Sequence, residues 1–157
     1  VAKRLPNINF HLYGNQETIY IKKIKKLKNV FFKGYIEYSK LVKIINNYKV
    51  LLMPYKKNVG VLIKNINVAR YFSPLKMFDY LASGKIIIAS DLPVYRDVLT
   101  NKVNSIIIND DANQWSKMIS QTLSSNKYNY LGKIARNNSK KYSWNNRIIK
   151  IINFQGE

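Results

Sequence analysis

Apolar residues arrive along this chain in two rhythms. Short, nearly continuous runs of β-branched and aromatic residues alternate with longer stretches in which an apolar position returns every third or fourth residue. The first rhythm marks buried strands and the second amphipathic helices. Strands are therefore expected over 8–13, ending at Gly14; over Val30, Phe31 and Phe32, ending at Gly34; over 49–53, stopped by Pro54; over Ile86, Ile87, Ile88 and Ala89; and over 105–108. Between them, Ile21, Ile24 and Leu27 mark a helix over 18–28. Further helices are expected over 38–47, from Pro74 to a stop at Gly84, briefly after Pro93, and over 113–123, 128–142 and 144–154, with Ser143 as the N-cap of the last. Residues 55–72 follow neither rhythm, and long connections of this kind often form binding loops or lids. Asn58 and Gly60 favour turns there, Val59, Val61, Leu62 and Ile63 allow a short extra strand, and partial disorder is expected without a ligand.

Strands alternating with helices predict a parallel sheet with right-handed crossovers, so the class is α/β, doubly wound and Rossmann-like. The 157 residues make one domain, closed by the C-terminal helices over about 126–154. Ligands of such sheets sit beyond the carboxyl ends of the strands. Gly14, Gly34, Pro54, Tyr55, Ser73, Ser90 and Asp91 all fall there and should gather on one rim.

The stretch over 73–91 carries the sharpest local chemistry. Ser73 suits an N-cap and Pro74 the first helical position, where its missing N–H costs nothing. Leu75, Phe78 and Leu81, with Met77 beside them, give the helix an apolar face. Its uncapped first amides form an anion site, with Ser73 and Lys76 placed where a phosphate would meet them.

These residues resemble the C-terminal, donor nucleotide-sugar-binding domain of GT-B glycosyltransferases, in particular the large retaining family numbered four, also called group 1. That family often reads S-P-x-K-x-F-E-Y-x-A-x-G-K-P-I-I-A-S-D-x-P, which residues 73–93 follow nearly position for position. The resemblance extends to Phe10-His11-Leu12-Tyr13-Gly14, Asn29-Val30-Phe31-Phe32-Lys33-Gly34, Val50-Leu51-Leu52-Met53-Pro54 and Tyr95-Arg96-Asp97-Val98-Leu99. It implies the C-terminal half of a GT-B fold, N-terminally truncated, from an enzyme that transfers a sugar from a nucleotide-sugar, UDP-sugar by preference, to a glycan or lipid-linked acceptor in surface polysaccharide synthesis. It also implies the donor contacts. Gly34 and Tyr35 would hold the base, the amides of Leu75 and Lys76 after Pro74 would hold the diphosphate with help from the Ser73 hydroxyl, and Asp79 would bridge the two ribose hydroxyls. No metal is expected in this scheme. The sequence departs from the pattern at Lys49, where an acid is usual, at Tyr71, where the family has a second acid, and at Asp79, one methylene shorter than the usual Glu. The family's diphosphate-gripping Arg and Lys and its acceptor domain precede the part matched here. Together with the start at Val1, this leads us to expect a fragment that is inactive alone, its catalytic residues unassigned.

Charge adds a further question. The 27 Lys and Arg against 8 Asp and Glu give a formal net charge of +19, which fits either an anionic partner or a biased genome. Lys22, Lys23, Lys25, Lys26 and Lys28 cover the polar faces of the helix over 18–28. They form either a solvated face or an anchor for anionic lipid, each such Lys being worth on the order of 1 kcal/mol. The alternative reading of the whole chain is a basic nucleic-acid-binding α/β module, although no RNA-recognition, zinc-finger or helix-turn-helix pattern occurs. A ligand-free scaffold of the same fold would leave the residues over 73–84 unused. His11, the single histidine, has no partner that suggests a role, and Asp110 and Asp111 read as a helix cap rather than a metal pair. Cysteine is absent, which excludes disulfides and thiolate metal sites. No apolar run approaches the roughly 20 residues of a membrane span, so a cytoplasmic protein is expected, peripheral at the inner face of the membrane if the lysines act there.

Overall fold

Five strands carry the fold among the residues that the computed structural model describes, namely 1–14, 24, 26–55 and 75–154. They are β1 (Phe10–Tyr13), β2 (Val30–Gly34), β3 (Val50–Met53), β4 (Ile86–Ser90) and β5 (Ile106–Ile108). The helices are α1 (Tyr38–Asn46), α2 (Leu75–Ser83), α3 (Ala112–Ser124), α4 (Asn129–Ser139) and α5 (Trp144–Phe154), with a 3-10 turn over Pro93–Tyr95. Every ladder is parallel, as the alternation of strands and helices requires. Hydrogen bonding nevertheless divides the strands into two sheets, β1-β2 and β3-β4-β5, with no ladder between β1 and β3. Phe10 lies opposite Val30 in the smaller sheet, while Val50 faces Ile86 and Ile88 faces Ile106 in the larger.

The central strand β4 is buried at every residue, which is why its sequence shows no alternation. One of its faces packs Ile87 and Ala89 on Met77 and Leu81 of α2 and on Ala135 of α4. The other packs Ile86 and Ile88 on Trp115 and Ile119 of α3, where Leu5, Ile8, Phe10, Val50 and Leu52 join them. Gly84 ends α2 at φ +69°, the left-handed conformation that favours glycine. A Cβ on Gly132 of α4 would meet the Gly84 carbonyl oxygen at 2.1 Å, so that glycine lets α4 close on the turn between α2 and β4.

Polar groups finish several elements. Asp111 caps α3, its carboxylate accepting from the Asn113 N–H at 2.8 Å, as the acid pair predicts. The Ser143 hydroxyl accepts from the Asn146 N–H at 3.3 Å at the start of α5. Lys49, where the related pattern has an acid, donates its ammonium to the carbonyls of Leu123 and Ser125 at the end of α3, at 3.2 and 3.3 Å. Asn29 is buried and donates its amide to the carbonyls of Ala2, Leu5 and Ile8, at 3.0, 2.8 and 3.0 Å, fastening the chain start to β2. A turn closed by the Ile8 N–H on the Leu5 carbonyl delays β1 to Phe10, later than the apolar pattern suggests. Most of the basic helix expected over 18–28, and the loop over 55–72 beyond Tyr55, lie outside the described residues. Among the described residues no helix is long and apolar enough to cross a membrane.

Candidate functional site

The carboxyl ends of the strands meet beside the start of α2, where Tyr13, Ile36, Pro54 and Lys76 line one cavity and Tyr38 reaches Asp79. Beyond β2, Gly34 takes φ +73° and turns the chain outward. The ring of Tyr35 follows it and is 81% exposed, a bare aromatic face at the strand end. The chain then enters α1, whose first residue, Tyr38, projects its hydroxyl to the Asp79 carboxylate of α2 at 2.9 Å. Asp79 is half-buried. Its hydrogen bond, reinforced by its charge and by slight burial, raises the Tyr38 phenol above its ordinary value.

Beyond β3, Tyr55 donates its N–H to the Ser90 hydroxyl at 2.9 Å, tying the end of β3 to the end of β4. The Lys76 ammonium lies over the Tyr55 ring, 5.3 Å from its centroid, a cation–π contact that holds the amine beside the rim. The Tyr55 ring in turn meets Tyr95 edge-on at 6.3 Å. Tyr95 is fully buried, its hydroxyl has no hydrogen-bond partner among the described residues, and burial drives its ionisation up. Tyr80, one position after Asp79, is also raised, by burial first and against the lowering influence of Lys76. Past β4, Asp91 is held by Arg96 in a two-oxygen grip, with Nη2 at 2.8 and 3.1 Å. Its carboxylate is thereby occupied from within the chain.

Of the residues singled out by sequence, Gly34, Tyr35, Leu75, Lys76 and Asp79 fall on this rim, and Leu75, the first described residue of α2, is 75% exposed. Ser73 and Pro74 lie outside the described residues, as do Tyr71, Lys22, Lys23 and Lys25. Lys26 and Lys28 are exposed. His11 is half-buried, and its Nδ1 shares a 2.6 Å hydrogen bond with the Tyr48 hydroxyl. Sequence reasoning did not single out Tyr38 or the Tyr55 ring as a partner for Lys76. Tyr38 and Asp79 are 41 residues apart, and only the packing of α1 on α2 brings them together. The one available signal was the excess of tyrosine, 12 in the chain, among residues near strand ends.

A family profile described as glycosyl transferases group 1 matches residues 1–125. Two solved structures share the fold. The crystal structure of Anabaena Alr3699/HepE in complex with UDP-glucose aligns with a TM-score of 0.68 at 13% identity over 88% of this chain and 39% of its own. That of TarM aligns with a TM-score of 0.69 at 22% identity, over 97% of this chain and 29% of its own. The chain thus spans well under half the length of either structure. Among curated proteins no sequence match reaches significance.

Proposed function

The chain belongs to the group 1 glycosyl transferases, and from that premise we propose that the rim formed by Gly34, Tyr35, Tyr38, the start of α2 and Asp79 holds the nucleotide part of a sugar donor, a UDP-sugar by preference. The meeting of Tyr38 and Asp79 carries this reading. The tyrosine hydroxyl engages one carboxylate oxygen and steadies the side chain, while the second oxygen and the remaining lone pairs stay available to two vicinal hydroxyls, as on a ribose. The first turn of α2 would present its amides to the diphosphate, and Lys76 stands beside it to balance the charge of a departing nucleoside diphosphate. Tyr35 supplies a free ring face for the base. UDP-glucose in the HepE structure supports a donor of this class. Transfer with retention of configuration, to a glycan or lipid-linked acceptor in surface polysaccharide synthesis, completes the proposal, the acceptor being held by a part of the enzyme outside this chain.

Calorimetric titration of the full-length protein with UDP tests it. Asp79→Ala removes a carboxylate that accepts charge-assisted hydrogen bonds worth about 1.5–3 kcal/mol, so UDP affinity should fall about 10- to 100-fold. Tyr38→Phe should cost less, because the carboxylate remains. Unchanged UDP affinity in Asp79→Ala would refute the reading. Steeply salt-dependent binding to duplex DNA, without UDP binding, would favour the nucleic-acid alternative.

A further inference from the structure

A groove of about 640 Å³ runs along the outer edge of β5, between α3 and the start of α4. Its floor is apolar, made by Ile106, Ile108 and Leu131 of the core. Lys102, Lys117 and Lys127 also line it and are exposed, and among the described residues no acidic side chain does so. The two helices offer none, because the sequence has no Asp or Glu between Ala112 and Gly156. Lys102 is held in place. Its φ is +60°, in the left-handed region that residues with a Cβ rarely adopt, and its N–H donates to the Ser105 carbonyl at 2.8 Å while the Tyr130 hydroxyl donates to its own carbonyl at 2.9 Å. On the facing wall, Gln114, Lys117 and Gln121 recur at intervals of three and four along α3. They share one face over a length of about 10 Å, and all three line the groove.

The chemistry of the walls selects the occupant. Three ammoniums without an acid call for a negative ligand. A carboxamide both donates and accepts hydrogen bonds, and so matches a hydroxyl, which does the same. An extended peptide added to the sheet is opposed by β5 itself. The Asp91 N–H donates to the Ile108 carbonyl, so Ile106 and Ile108 turn their backbone toward β4 and Ile107 turns outward. That outward N–H is already taken by the Asn101 side chain, at 3.0 Å. A nucleic-acid strand would want bare rings on which successive bases stack. Tyr128 is half-buried with the Lys127 ammonium over its ring, 6.0 Å from the centroid, and no pair of bare rings is left.

We propose that this groove binds an acidic oligosaccharide, with its charged groups on Lys102, Lys117 and Lys127 and its hydroxyls on Gln114 and Gln121. The inference goes beyond the nucleotide reading. Groove and rim share no residue, so either can fail alone.

Calorimetric titration of the full-length protein at about 0.15 M salt tests it. Hexagalacturonate is the acidic probe, maltohexaose the neutral one and hexathymidylate the nucleic-acid one. Changing Lys102, Lys117 and Lys127 together to Gln should weaken hexagalacturonate binding by about tenfold or more. Removing the same charge at Lys133, Lys140 and Lys141, which are exposed and outside the groove, should change it by less than about threefold. Gln114→Ala combined with Gln121→Ala leaves the charge untouched and should weaken binding about fivefold. Any of five results would overturn the proposal: no hexagalacturonate binding by the wild type, equal losses in the two lysine triples, unchanged affinity in the glutamine pair, maltohexaose bound as tightly as the acidic probe, or hexathymidylate bound more tightly than hexagalacturonate and lost with the groove lysines.

Discussion

The two sheets of this molecule are built from the same kind of strand and held in different ways. In the larger one, β4 is covered on both faces, and its cohesion comes from apolar side chains packed to exclusion of water. In the smaller one, Leu12, Tyr13 and Phe31 remain substantially exposed, and the ties are polar: the Asn29 amide on three carbonyls, and the Tyr48 hydroxyl 2.6 Å from both His11 Nδ1 and the Tyr13 hydroxyl. Buried area sets the stability of the first, and satisfied hydrogen-bonding groups set that of the second.

The sharpest way to break this contrast is to remove equal apolar volume from each sheet. Leu81→Ala empties a site with no solvent exposure beneath β4 and should lower unfolding free energy by about 2–5 kcal/mol. Leu12→Ala, at a position 42% exposed, should stay within about 0.5 kcal/mol. Denaturant unfolding reads both, and equal losses would erase the distinction.

Next in size is the polar tie. Asn29→Ala leaves three carbonyls without their shared donor and should cost about 1–3 kcal/mol, with fast amide exchange appearing first around Ile8 and Phe10 rather than in β4. Loss spread evenly over both sheets would show that Asn29 serves the whole domain.

The smallest effect is one of pH. Burial, followed by the hydrogen bond with Tyr13, raises the Tyr48 phenol from 10.0 to about 12. The neutral phenol is the form that the fold favours, so its contribution is complete below about pH 10 and is lost as pH rises through 12. Alkaline titration of stability should therefore be steeper in the wild type than in Tyr48→Phe across that interval, and identical slopes would remove Tyr48 from the account.

The same contrast explains what could be read in advance. Ile86, Ile87, Ile88 and Ala89 announce a two-sided strand because a strand buried on both faces needs apolar residues without alternation. Asp111 announces its helix start because capping is a local event. The division into two sheets was not legible, since an unpaired edge differs from a paired one only in what lies beside it. At the rim, Gly34, Leu75, Lys76 and Asp79 could be placed from strand ends and a helix start. The hydroxyl of Tyr38 on Asp79 and the ring of Tyr55 under Lys76 depend on packing between elements that are distant in sequence, and no local pattern encodes that.

Lys49 shows how one departure from a family pattern propagates. Its ammonium is committed to the carbonyls of Leu123 and Ser125, 74 and 76 residues further on, at the negative pole of the α3 dipole. A carboxylate in its place would set like against like, and α3 would have to shorten or recruit another cation to finish its final turn. The residue at the foot of β3 thus helps to finish α3, a contribution of about 0.3–1 kcal/mol that links two elements distant in sequence.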